Sequence, residues 1–277
     1  MYSERRSAVP GGTVWQVDPS AASAPADDGS APPAPRVPDL VVPDGCMDIL
    51  WSEGRLLVAG PDTRGHLAPV GPGRSAAGLR FAPGAAPAVL GVPAHELVDR
   101  RVPLEDLWPE AAARRLSDAV ERTVCDGTVT GTAARVARVV EQDLRGCPGA
   151  DGATGDAVGR GVMLSMATAG AGVAEVARAT GWSERQLRRH SHDLFGYGLT
   201  TLRRVLRLQV AFRVAAQGWP LAEVAARSGY ADQAHLSREV VALTGRTPGA
   251  VLPRPAPAQP SGAKRSTGFP SGSRTVA

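Results

Sequence analysis

An eleven-residue pattern occurs twice in this chain, first at residues 173–183 and again at 221–231. An offset of 48 residues superposes the Ala, Glu, Val, Ala and Gly of the two copies without a gap. In both copies apolar residues recur at positions i, i+3 and i+4, which places them on one face of a short helix. Each copy then reaches a glycine, Gly181 or Gly229, where a helix commonly ends because glycine accepts a positive φ. The repeat therefore predicts two helical units of the same design.

A second helix is predicted to follow each glycine. Ser183 and Gln186 are spaced as a capping box, in which each side chain binds the backbone amide of the other residue. In the second unit Asp232 is the predicted N-cap, one residue later relative to its glycine, so that the buried leucine shifts from Leu187 to Leu236. Two helices joined by a sharp glycine turn form a helix-turn-helix unit, and this chain is predicted to contain two of them.

The exposed faces of these second helices carry side chains that suit base recognition. Arginine and glutamine form paired hydrogen bonds with guanine and adenine edges in the major groove. Short helix–glycine–helix patterns also occur in helical domains that bind no DNA, but two copies with their caps in phase favour nucleic-acid binding. The predicted DNA-binding residues are Arg185, Arg188 and Arg189 on the first helix and Gln233, Ser237 and Arg238 on the second.

Charge is unevenly distributed along the chain. The formal net charge is +4, but residues 158–254 hold 13 arginines against 6 acidic residues, whereas residues 1–150 hold 15 arginines against 19 acidic residues. A basic C-terminal part beside a mildly acidic N-terminal part is typical of a polyanion-binding domain fused to a domain of another kind.

The C-terminal repeat resembles a known family. Residues 183–198 are similar to the first half of the AraC/XylS-type DNA-binding domain. Residues 229–239 and 244–248 are similar to its second half, with the pattern Gly-aromatic-x-Asp-Gln-x-His-apolar-Ser-Arg followed by Gly-x-x-Pro. The resemblance covers roughly residues 158–252, and it departs from the family at residues 190–192, His-Ser-His, where a basic residue and an aromatic are more usual. It implies that Arg189 and Arg238 contact bases.

Short segments punctuated by glycine and proline predict strands in the N-terminal part, which indicates a compact β-barrel or sandwich. Residues 1–12 are polar and are predicted to fray, and proline-rich residues 18–38 are predicted to form a flexible excursion. Asp44-Gly45 predicts a hairpin or a sharp junction between two strands. The predicted strands lie in residues 13–17, 40–51, 55–59 and 76–82.

From Pro103 onward the apolar spacing is helical. The whole is an α+β protein with two domains: 13–150, a β-rich domain with a helical C-terminal part, and 156–252, an all-α domain whose two helix-turn-helix units are joined by a long helix. Glycine-rich residues 146–155 are predicted to form a hinge, and residues 253–277 a disordered tail. The predicted helices are 110–124, 132–144, 156–169 and 199–216.

The N-terminal part also resembles a family, in the segments 43–51, 59–63, 81–84 and 91–108. These are similar to an N-terminal domain that accompanies this type of DNA-binding half in actinobacterial regulators. The resemblance implies a small cupin-like β domain that senses an effector or dimerises, and it names no ligand-binding residue. The implied partners are operator DNA, with RNA polymerase, a small-molecule effector and a second copy of the chain as further candidates.

Few features of the sequence indicate catalysis. Cys46 beside two aspartates suggests a nucleophile, but its apolar neighbours favour a buried strand cysteine. His66 and His95 lack metal-ligand spacing, and no cofactor fingerprint occurs, so that neither a metal nor a cofactor is predicted. The alternative is an enzyme acting on DNA or a small molecule, with the helical half used for targeting. Three unpaired cysteines and the absence of a signal pattern or long apolar run predict a cytoplasmic, nucleoid-associated protein away from the membrane.

Overall fold

A computed structural model of the chain describes residues 2–17, 40–67, 75–125, 131–147 and 157–253. Strands occur up to residue 103, and the chain beyond that point is helical in the described residues. The prediction of a strand-rich N-terminal domain followed by a helical C-terminal domain is confirmed. Most of the predicted hinge (146–155) and nearly all of the predicted tail (253–277) lie outside the described residues.

Eight strands are present in the described part of the N-terminal domain. Six form one antiparallel sheet in the order β1-β2-β7-β4-β5-β8, and β3 pairs with β6 in a second sheet. The strands are β1 Tyr2–Arg6, β2 Gly12–Val17, β3 Leu40–Val41, β4 Met47–Ser52, β5 Arg55–Ala59, β6 His66–Leu67, β7 Ala76–Phe81 and β8 Arg101–Pro103. The strands predicted at 13–17, 55–59 and 76–82 correspond to β2, β5 and β7. Because β3 and β4 lie in different sheets, Asp44-Gly45 is a strand junction and not a hairpin.

The apolar core of this domain follows from the register of the large sheet. Val14 lies opposite Leu79, which lies opposite Ile49, and Ile49 lies opposite Val58. Side chains alternate between the two faces of a strand, so this row points to a single face. All four side chains are buried, and they belong to one cluster with the buried residues of the helices that cover the sheet.

Ten α-helices occur in the described residues. They are α1 Ala86–Leu90, α2 Glu110–Cys125, α3 Thr132–Leu144, α4 Ala157–Thr168, α5 Val173–Thr180, α6 Glu184–Phe195, α7 Leu199–Ala215, α8 Leu221–Arg227, α9 Gln233–Thr244 and α10 Pro248–Val251, with short 3-10 helices at Ala94–Leu97 and Leu104–Asp106. Helix α3 has the predicted bounds, α2 and α7 differ from prediction by one residue at one end, and α4 is one residue shorter at each end. No periodic pattern indicated α1, because five residues are too few to show one.

The prediction that residues 1–12 fray is wrong. Strand β1 pairs with β2, and the chain that follows it is held by Glu141 of α3. The Glu141 carboxylate accepts hydrogen bonds from the Arg5 guanidinium at 2.5 Å, the Ser7 hydroxyl at 2.7 Å and the Ala8 amide at 2.7 Å. Pairing with β2 and these hydrogen bonds to Glu141 therefore order a segment whose residues 3–6 are exposed to solvent.

The C-terminal domain has two separate apolar clusters that are connected by α7. The first half of α7 contributes Leu202 and Val205 to the cluster of α4, α5 and α6. The second half contributes Leu208 and Ala211 to the cluster of α8 and α9. A helix of 17 residues spans roughly 26 Å at ~1.5 Å per residue, so α7 sets two compact units side by side.

Candidate nucleic-acid interface

The first unit consists of α5, a turn at Gly181 and α6. Gly181 has φ 71°, and its amide binds carbonyls of the last turn of α5. Ser183 caps α6: its hydroxyl accepts from the Gln186 amide at 3.3 Å, and its own amide donates to the Gln186 side chain at 2.9 Å. The predicted capping box is therefore formed, and the buried face of α6 begins at Leu187, which is 1% exposed.

The second unit repeats this arrangement with α8, Gly229 and α9. Gly229 has φ 74°, and the Asp232 carboxylate accepts from the His235 amide at 2.6 Å, as an N-cap does. Helices α5 and α8 begin 48 residues apart, at Val173 and Leu221, whereas α6 and α9 begin 49 residues apart. The extra turn residue predicted for the second unit is present, and Leu236 takes the buried position of α9.

The aromatic residue after each glycine packs differently in the two units. Tyr230 is buried, with the Arg207 guanidinium 5.3 Å from its ring centroid. Trp182 is half-buried and stacks on His190, with the ring centroids 4.1 Å apart. Gly159 of α4 fits against the same indole, since a Cβ there would lie 2.4 Å from Trp182 Cη2. The unusual His190 is therefore accommodated by ring stacking.

The six predicted DNA-binding side chains lie on the faces of α6 and α9 away from the cores. Five of them are exposed, and Ser237 is half-buried. The Ser237 hydroxyl donates to the Gln233 carbonyl at 2.8 Å, which leaves its oxygen as an acceptor. The exposed five are Arg185, Arg188, Arg189, Gln233 and Arg238.

On α6 and α9, the carboxylates nearest in sequence to Arg189 and Arg238 have other partners. Asp193 of α6 pairs with His95 of the N-terminal domain at 3.4 Å. Glu239 of α9 binds Arg204 of α7 through two hydrogen bonds, of 2.9 and 3.2 Å. Across the described part of the chain, Arg189 and Arg238 make neither a hydrogen bond nor an ion pair. Their guanidinium groups are therefore available to an external anion or base edge.

The N-terminal residues considered as catalytic candidates have structural roles. Burial and the nearby Asp44 carboxylate raise the pKa of the Cys46 thiol, which disfavours the reactive thiolate. Asp44 forms the strand junction by accepting from the Cys46 amide at 2.8 Å. Burial raises the pKa of Asp48 to about 6 although its carboxylate binds Arg80 at 3.3 Å and the Trp15 indole at 2.7 Å. The described residues contain no group of three or more His, Cys, Asp or Glu placed to hold a metal ion.

Comparison with known protein families identifies the kind of domain that the two helical pairs form. A family described as "Helix-turn-helix domain" matches residues 176–254, and the "Domain of unknown function (DUF6597)" family matches residues 26–103. The first match spans the α5–α6 and α8–α9 pairs with both glycine turns. Residues 176–254 therefore form a helix-turn-helix domain of the AraC type, and the chain is a DNA-binding transcriptional regulator. No curated protein matches this AraC-type regulator significantly.

Solved structures of ToxT from Vibrio cholerae are similar to this AraC-type regulator at low identity. ToxT from strain O395 is 9% identical, with a TM-score of 0.42 over 87% of this chain and 96% of ToxT. ToxT from O395 bound to (E)-4-(8-methylnaphthalen-1-yl)but-3-enoic acid is 10% identical, with a TM-score of 0.42 over 91% of this chain and 98% of ToxT.

Sequence patterns gave no indication of the contacts between the two domains. His95 meets Asp193 across the domain boundary, and the Gln209 side chain of α7 donates to the Pro43 carbonyl at 2.7 Å. Such contacts join residues more than ninety positions apart, whereas helical and strand periodicity reports only local structure.

In the described part of the chain, no helix is long and apolar enough to cross a membrane.

Proposed function

We propose that the AraC-type regulator recognises its operator by placing α6 and α9 in successive major grooves on one face of the duplex. The observation that carries this proposal is the equivalence of the two helices. Each begins at a capped N-terminus, has twelve residues and buries one leucine at the same position. Helices of this kind enter the major groove with their N-terminal residues, and units about one DNA turn apart bind one face, at roughly 34 Å spacing.

The proposed roles of the side chains follow from their chemistry. Arg189 and Arg238 occupy equivalent positions, two residues after the buried leucines, and we assign them to base edges. Gly181 and Gly229 make the turns that aim each helix. The remaining contacts, to bases or to phosphates, are assigned to Arg185, Arg188, Gln233 and Ser237.

The proposal extends to the setting in which the regulator acts. We assign the N-terminal domain to control of the DNA-binding domain, residues 156–252, through a small-molecule effector or through dimerisation. RNA polymerase and a second copy of the chain are the proposed protein partners, and the cytoplasmic nucleoid is the proposed location. An enzymatic role has less support, because burial raises the pKa of the Cys46 thiol. The nearby Asp44 and Asp48 carboxylates already bind Arg80, the Trp15 indole and the Cys46 amide.

Footprinting tests the proposal. The full chain is used to select duplexes from a random library, and hydroxyl-radical cleavage is then mapped on a selected duplex. We expect two protected patches about ten base pairs apart on one face. Protection of a single groove would contradict the placement of α6 and α9 in successive grooves. A scrambled duplex of equal length is the control and should show no discrete protection.

A further inference from the structure

One side of the N-terminal domain packs against the C-terminal domain. We call this side the docking face and define it by residues 42–46, 60–66, 83–84 and 94–98. It contacts the C-terminal ends of both α6 and α9, and it also contacts α7 between them. The connection between the domains therefore involves far more than the chain that links them.

The contact with the first unit is close-packed. Gly196 caps α6 with φ 84°, and a Cβ on it would lie 2.7 Å from both Pro61 Cγ and Val98 Cγ2 of the docking face. On the opposite side Gly84, with φ 75°, faces Phe195: a Cβ there would lie 2.6 Å from the Phe195 ring. Two glycines, one on each domain, thus allow the backbones to approach where a side chain would separate them.

The contact with the second unit is a backbone hydrogen bond. The Gly65 amide donates to the Leu243 carbonyl in the last turn of α9 at 2.6 Å. A Cβ on Gly65 would lie 3.1 Å from Thr244 Cα, so the two chains touch directly. Beside this contact Val42 packs on the apolar cluster of α8 and α9. The docking face therefore reaches the core of the second unit.

The docking face meets equivalent positions of the two units. Phe195 and Thr244 are the last residues of α6 and α9, and they lie 49 residues apart, as the starts of these helices do. The opposite ends of both helices, with their exposed arginines, are not covered by the docking face. The docked arrangement is therefore compatible with entry of both helices into DNA.

We propose that the docking face fixes the spacing and mutual orientation of α6 and α9, and so makes the N-terminal domain a determinant of operator spacing. This inference rests on the proposed function, in which both helices contact one duplex. The two units have separate cores and share α7. If α7 were their only connection, only the stiffness of this helix would limit the rotation of one unit relative to the other. The docking face contacts both units and so provides a second connection between them, which restricts this rotation.

The experiment separates the docking face from the second unit by a wedge at Gly65. Two full-length variants, Gly65→Ala and Gly65→Leu, place a small and a larger side chain against Thr244. Residue 65 does not adopt a positive φ, so both side chains are compatible with its backbone. Ala111→Leu is the control, because Ala111 is exposed on α2 and lies outside the docking face. Circular dichroism verifies folding, and hydrogen exchange of the peptide containing Gly65 reports separation.

Each protein is used to select duplexes from one random library, and the distance between the two enriched motifs is the readout. We expect the unmodified chain and Ala111→Leu to enrich two motifs at one fixed distance. The Gly65 variants should enrich the same motifs at a broadened range of distances, Gly65→Leu more than Gly65→Ala. Their affinity for the fixed-distance duplex should fall about tenfold or more, as coupled binding of two linked units is lost, while affinity for a single motif is retained.

Two results would overturn the inference. In the first, exchange at Gly65 is faster but the motif distance stays fixed, which would show that α7 alone sets the spacing. In the second, affinity for a single motif falls as much as affinity for the pair, which would show that the docking face only stabilises the second unit. Failure of the unmodified chain to enrich any motif would instead refute the proposed function, and is distinguishable because it precedes any substitution.

Discussion

At the scale of single residues, the most specific prediction concerns Arg189 and Arg238, which occupy equivalent positions in α6 and α9. We predict that Arg189→Ala and Arg238→Ala each weaken binding to the selected operator, because each removes a paired hydrogen bond to a guanine edge. The loss should be roughly 1–3 kcal/mol at one base pair and much smaller on scrambled DNA. Affinities measured in parallel on both duplexes test this prediction, with Arg145→Ala, an exposed arginine at the end of α3, as the control.

The contrary outcome for these arginines is equally clear. Equal losses on operator and scrambled DNA, with a shallower dependence on salt, would identify contacts to phosphates. In that case both side chains would help to position the protein on DNA without contributing to its sequence preference.

Glu141 carries a prediction about stability and pH. Hydrogen bonds from Arg5, then from Ser7 and the Ala8 amide, lower its pKa from 4.5 to about 2. A carboxyl whose pKa is lower in the folded state stabilises the fold above the unfolded pKa and loses that contribution as the pH falls from about 4.5 to about 2. Glu141→Gln should therefore reduce the free energy of unfolding at pH 7 by about 2 kcal/mol and by much less at pH 2.

Urea unfolding at the two pH values measures this effect. Glu121→Gln, at an exposed position of α2, is the control and should change little at either pH. An equal loss at pH 7 and pH 2 would mean that the charge of Glu141 is not what holds residues 5–8.

At the scale of elements, the caps of α6 and α9 are the features that local sequence determines most directly. Ser183→Ala and Asp232→Ala each remove the side-chain acceptor for an amide of the first turn. We predict that each substitution lowers the free energy of unfolding by about 1 kcal/mol, which circular dichroism would detect as a lower Tm. Ser117→Ala, inside α2, is the control and should not lower stability because alanine is the better helix former. A variant as stable as the control would contradict the capping role.

The sequence predicted those elements whose own residues specify them. Helices α6 and α9 combine apolar periodicity with side-chain caps, and α3 has a clear apolar face. Strands β5 and β7 are short apolar segments that end at glycine or proline, and β2 shows a period of two. Strand β1 was missed because its stability comes from β2 and from Glu141, which lies more than 130 residues away. The same reasoning identified the exposed arginines of the candidate interface, since Leu187 and Leu236 fix which face of each helix is buried.

At the scale of the whole molecule, we consider how far the DNA-binding domain depends on the N-terminal domain. We predict that a fragment of residues 156–254 folds and retains salt-sensitive DNA binding, because its two apolar clusters come almost entirely from its own helices. Val42 is the N-terminal residue that packs on the second cluster, so the fragment should be somewhat less stable than the full chain.

Fluorescence anisotropy at several salt concentrations, with the fragment and the full chain on the same duplex, tests this prediction. The fragment should keep a clear salt dependence and lose affinity for the paired motif. A folded fragment that binds no DNA at all would show that the N-terminal domain supplies part of the DNA contact surface itself.

The arrangement of the domains was beyond sequence-based prediction. Residues 146–155 suggested a simple hinge, but His95, Gln209 and Gly65 connect the two domains across large separations in the chain. Each is an ordinary surface residue in its own segment. Only the folded arrangement brings it to a partner, so no periodic or compositional pattern marks it.

Gly84 and Gly196, one on each side of the domain contact, have a consequence for how such regulators can be recombined. A hybrid that joins this N-terminal domain to another helix-turn-helix half would keep the docked geometry only if the borrowed half also ends its first recognition helix in glycine. Any larger residue there would collide with Pro61 and Val98. The two glycines therefore limit which N-terminal and C-terminal domains can be combined in one protein. Exchange of one half without the other would yield proteins that fold but no longer share a fixed geometry.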